Sequence, residues 1–208
     1  MTTTVFYNDL TAAMALPPPE RHQHLARLHG AALRIYQTAL DQLTMEDVQH
    51  PLPNHSDQRT VAQIIGHIAA WDRFAVLAAG DILAGIYHPR MIADLSGYRE
   101  PDGTCPTFAN IDDFNAYHAH KYQSWSWEQL RSFAQDTATT LYILFTHPQL
   151  LSAARLEQTA RFWKRLHNGT IIPNITMGWN LWLTMLEHLA VEHAALLDRT
   201  AMPSDRAR

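Results

Sequence analysis

Eight residues near the C-terminus, Leu186-Glu-His-Leu-Ala-Val-Glu-His193, place two histidines and two glutamates in an otherwise apolar segment. Imidazole suits divalent-metal ligation and proton transfer near neutral pH, and carboxylate suits both as well. A second candidate lies far upstream in "TVAQIIGHIAAWD", where His67 shares a helical stripe with Ile64, Ile68, Trp71 and Phe74. A lone histidine in an apolar stripe is ordinarily a core side chain satisfied by one or two hydrogen bonds, because burying it unpaired costs about 1–3 kcal/mol. Two imidazoles in the apolar arcs of separate helices can instead converge on a metal, since helical bundles build such sites from facing side chains.

Register complicates the pairing. His193 shares a face with Ile175, Trp179, Trp182, Leu186, Leu189 and Leu196. His188 is five residues away, so a regular α-helix turns it about 140° from His193, whereas a four-residue spacing would leave about 40°.

The elements that must carry these residues read as helices throughout. Apolar positions at three- and four-residue steps predict helices over about 20–45, 60–80, 111–145 in two pieces, and 174–200. Thr60 with Gln63, and Ser126 with Gln129, have capping-box spacing, and Asn110 can cap the segment between them. With no strand expected, the chain reads as one all-α domain over residues 1–208, a four-helix bundle with two long connections. The first connection, residues 81–110, is rich in Gly and Pro and is a candidate lid or wall beside which a substrate would enter. The second, residues 146–173, holds Asn168-Gly169, a helical turn near 156–163, and Arg155, Arg161, Lys164 and Arg165. It reads as a solvated connector or a patch for an anionic substrate. Glu187 and Asp198 fall on the polar face of the last helix, where solvation is expected, and the tail "AMPSDRAR" is expected to fray.

Composition removes several classes. A formal charge of −4 without a Lys/Arg run argues against nucleic acid. No export signal opens the chain and no stretch reaches about 18 apolar residues, so a cytoplasmic protein with no membrane partner is expected. The single cysteine, Cys105 in "EPDGTCPTF", precludes an internal disulfide and reads as a bystander thiol rather than a catalytic one. No phosphate-binding Gly loop, Gly-x-Ser-x-Gly elbow, His-Glu-x-x-His or Cys-x-x-Cys motif is present.

Three segments resemble the DinB family of metalloenzyme-like four-helix bundles: "TVAQIIGHIAAWD" with its His-x3-Trp, "IDDFNAYHAHKYQSWSWEQL", and "EHAALL". The resemblance spans roughly residues 25–199. It implies a divalent metal, nickel or zinc, held by His67 and by a His-x3-His pair whose second member is His193. Leu189 stands where the first member belongs. The third ligand is then His188 brought round by a π-bulge, or Glu192 as ligand or general base, or His118, His120 or His147 from elsewhere; otherwise no metal binds. Trp71 is placed at the pocket wall. The resemblance implies a metal-dependent enzyme, a thiol-dependent transferase or a hydrolase, acting on a small molecule. The alternatives are a non-catalytic small-molecule-binding or stress-protection protein and a homodimeric scaffold, the latter suggested by Leu181 and Met185 widening the last helix's apolar arc.

Overall fold

The structure is a computed structural model that describes residues 3–52, 58–91 and 95–198. The chain is mostly helical. In order it forms α1 (Thr3–Ala15), α2 (Pro18–Gln42), α3 (Met45–Val48), α4 (Val61–Leu83), α5 (Ile111–Tyr122), α6 (Trp127–Thr146), α7 (Ala153–Glu157), β1 (Arg161–Arg165), β2 (Ile171–Thr176), α8 (Met177–Glu187), a π-helical turn (His188–Glu192) and α9 (Ala194–Asp198). No helix among the described residues is long and apolar enough to cross a membrane. The tail expected to fray lies outside the described residues.

Local signals set the helix starts. Pro18 and Pro19 open α2, where the first turn has no intrahelical partner for the missing N–H. Thr60 caps α4 reciprocally: its Oγ1 accepts from Gln63 N at 3.2 Å, and Gln63 Oε1 accepts from Thr60 N at 2.8 Å. Ser126 and Gln129 repeat the arrangement at α6, and Asn110 Oδ1 accepts from Asp113 N at 2.9 Å at α5.

The core lies where α4 packs on α6 and α8, and α6 on α2. Trp179 and Trp182, both fully buried, stack with centroids 6.0 Å apart, and Phe145 stacks on Trp182. Leu181 and Met185 are 2% and 3% exposed within the single chain, so the wide apolar arc of α8 is already covered without a second copy.

No element was expected over residues 3–15, and two further expectations are corrected. Residues 3–15 form α1, which buries Phe6, Leu10 and Ala13 at helical spacing. The second connection contains an antiparallel hairpin, β1 with β2, turning through Asn168-Gly169 with Gly169 at φ 88°. The helical turn expected near 156–163 is the shorter α7, ended before the strand begins. Described residues of the first connection are tied back to the fold. Arg90 grips Asp81 through Nε at 2.7 Å and Nη2 at 2.9 Å and reaches the Gly97 carbonyl, and the buried Glu100 pairs with His118 and Lys121 of α5.

Candidate metal centre

The last helix does not run through as a regular α-helix. It ends at Glu187, and His188–Glu192 winds as a π-helical turn before α9. A π-turn takes up one residue more than the α-helical repeat, so it brings positions five apart onto the same face. His188 and His193 thereby face each other, Nε2 to Nε2 at 3.3 Å. From α4, His67 Nε2 approaches His188 Nε2 at 3.2 Å. The three ligand atoms all lie within 4.8 Å of one another. His188 and His193 are buried, and His67 is half-buried at the mouth of the group.

These distances fit a cation. A tetrahedral ion with metal–nitrogen bonds of about 2.0–2.1 Å sets its nitrogens about 3.3–3.4 Å apart. Hydrogen bonding alone serves the trio poorly. His188 Nε2 offers either one hydrogen or one lone pair to two facing nitrogens, while its Nδ1 is buried without a partner. A metal accepts all three lone pairs at once. Protonation is opposed: burial pushes the His188 pKa well below the usual histidine range, and His193, His67, Arg59 and His167 add to the effect. A neutral imidazole is the form that ligates.

Other candidates fall outside the trio. The Glu192 carboxylate is substantially exposed and sits 3.4 Å from His167 Nδ1 in the hairpin turn. His118 is committed elsewhere, with Nδ1 donating to the Phe114 carbonyl at 2.8 Å and Nε2 beside Tyr98 Oη and Glu100. His120 and His147 are exposed, and Cys105 is exposed on its loop. Trp71 stands edge-on to His67 and donates from Nε1 to Asn115 Oδ1 at 3.1 Å. Asn115, rather than the indole, lines the opening at His67, together with Arg59, Gln63, Ala116 and Ala119. The opening lies between α4 and α5, and no described residue of the 81–110 connection lines it.

Two elements hold the π-turn. Glu187, expected to be solvated, is fully buried: Lys164 Nζ of β1 sits 2.8 Å from Oε2, and His167 N donates to Oε1 at 2.9 Å. Lys164 is therefore internal to the fold and not part of a basic surface patch. Across the π-turn packs α1, whose Tyr7 hydroxyl has its pKa raised to about 12 by burial and by Glu187. Sequence reasoning missed both restraints because their partners lie on segments it read as connector or gave no element.

No family model, curated protein or solved structure matches the chain.

Proposed function

We propose that the protein is a metal-dependent enzyme on a DinB-like four-helix bundle, with His67, His188 and His193 as the ligands of one divalent ion, zinc or nickel. The observation that carries the reading is the convergence of three Nε2 atoms, His67 and His193 at 3.2 and 3.3 Å from His188, through a π-turn that brings the five-residue pair onto one face. The bundle would consist of α2, α4, α6 and α8 with its continuation. The motifs around His67, Asn110 and His193 support the family assignment.

When bound, the ion would supply Lewis acidity and lower the pKa of a water or thiol in an open position. The chain's own groups do the rest. Burial keeps the His188 imidazole neutral, and burial of His188 and His193 keeps water scarce on the inner side. The opening at His67 leaves one side accessible, and Trp71 fixes Asn115 at its rim. That arrangement suits a transferase using a thiol, or a hydrolase, acting on a small molecule.

Metal analysis of tag-free protein tests the reading. One equivalent of zinc or nickel in the wild type, lost in His67→Ala, His188→Ala and His193→Ala, is expected. A wild-type protein that retains no metal after incubation with excess ion would overturn it.

A further inference from the structure

The opening at His67 does not end there. It is a cleft of about 220 Å³, and it shares two of its residues, Gln63 and Ala119, with a second cavity of about 370 Å³. The larger cavity lies between α3, the first turn of α4, the end of α5 and the start of α6. Its walls are mostly apolar and aromatic: Met45, Val48, Tyr122, Trp125, Trp127 and Leu130. The two cavities adjoin at these shared residues, with aromatic walls on one side and Arg59 and His67 on the other.

Each end selects a different chemistry. The large end falls within the range of small-molecule sites, about 300–1,000 Å³, and offers flat ring faces to an apolar group. At the small end Arg59 lines the cleft together with His67. No carboxylate lines this cleft among the described residues. An arginine beside a cation site favours an anion. Gln63 joins the ends: its Oε1 is used by Thr60 N, which leaves its amide N–H groups as donors at the waist. Ala116 and Ala119 keep the α5 side of the passage shallow.

Resting on the metal reading, we infer that the adjoining cavities bind an amphipathic organic anion, an aryl or branched apolar body in the Trp125/Trp127 cavity with its carboxylate directed to Arg59 and the metal. His67 and the ion it helps hold then meet the polar end of the molecule, and the aromatic cavity sets which molecules are accepted.

The full chain, stripped of metal by chelation, is titrated with 4-phenylbutyrate, 4-phenylbutan-1-ol and butyrate, followed by tryptophan fluorescence and calorimetry. The phenyl acid is expected to saturate, the alcohol to bind at least about tenfold more weakly, and butyrate not to bind detectably. Ala119→Phe blocks the waist and Met45→Glu charges the cavity from an exposed position, and each weakens the phenyl acid at least about tenfold. Arg59→Gln brings acid and alcohol to equal affinity. Absence of saturation, equal binding of acid and alcohol by the wild type, or indifference to both Ala119→Phe and Met45→Glu overturns the inference. A wild type that takes up no zinc or nickel from excess ion yet binds the acid sinks the metal reading alone. Full metal loading without acid binding sinks this inference alone.

Discussion

His188 and His193 are five residues apart in sequence and 3.3 Å apart at Nε2, a relationship that a regular α-helix forbids and the π-turn creates. The turn absorbs one residue without altering the register of α9, so Leu196 and Leu197 still reach the core. Removing that residue should therefore leave an α-helical pair at four-residue spacing on the same face. Deletion of Ala190 is expected to retain stoichiometric metal with affinity within about tenfold of wild type. Insertion of an alanine after Val191 should swing His193 about 100° away and weaken binding by more than about 100-fold, beyond what a supporting residue costs. Metal content and competition with a chromogenic chelator read both. Loss of metal in the deletion would show that the π geometry, not the facing pair, is what the site needs.

Much of the fold was readable because its signals are local. Thr60 with Gln63 and Ser126 with Gln129 are three residues apart, and His67 lies in a stripe defined by its immediate neighbours. The parts that were not readable depend on distant partners. Glu187 reads as solvated until Lys164, twenty-three positions earlier, arrives on a strand. That strand, Arg-Phe-Trp-Lys-Arg, has no apolar alternation, and its partner contains Pro173, which cannot donate to a ladder and sits where the register slips. His29 shows the bland alternative for a buried histidine: Nδ1 accepts from Trp182 Nε1 at 3.2 Å, and burial lowers its pKa to about 4. Periodicity could not separate His29 from His188, because the difference lies in what each ring faces.

The Lys164–Glu187 pair is expected to be a stability determinant. The lysine side chain is 10% exposed and the glutamate 1%. Lys164→Met leaves a buried carboxylate without its cation, and breaking such a pair costs about 3–5 kcal/mol. For a chain of this size each kcal/mol shifts Tm by about 2–4 °C. Thermal unfolding of the chelated protein should show a drop of about 6–20 °C. The double variant Lys164→Met/Glu187→Leu should recover most of it. A single variant as stable as wild type would mean the pair contributes nothing.

Gly66 faces the ring of Tyr122, and an added Cβ would lie 2.7 Å from Tyr122 Cδ2. In an open helix position, glycine to alanine gains about 0.5–1 kcal/mol. Here overpacking costs about 1–3 kcal/mol, so the clash wins. Gly66→Ala should destabilise in urea titrations, and Gly66→Ala/Tyr122→Leu should regain part of the loss. Tyr122 also lines the aromatic cavity, so the single variant should alter binding of 4-phenylbutyrate as well. A net gain in stability would place the Tyr122 ring elsewhere.

Asp72 gives the chain a pH dependence separate from the histidine trio. It is 5% exposed on α4, near the fully buried Tyr36, and burial raises its pKa from 3.8 to about 7. The folded state therefore holds this proton over a range in which the unfolded chain has released it. Stability from the neutral carboxyl is fully present below the unfolded pKa near 3.8 and is lost as pH rises through about 7. A shift of this size corresponds to about 4 kcal/mol. Asp72→Asn keeps the shape and removes the ionisation. In chelated protein it should match wild type within about 1 kcal/mol at pH 4 and exceed it by a few kcal/mol at pH 8. Parallel stability curves for the two proteins across that range would show that Asp72 does not titrate with a raised pKa.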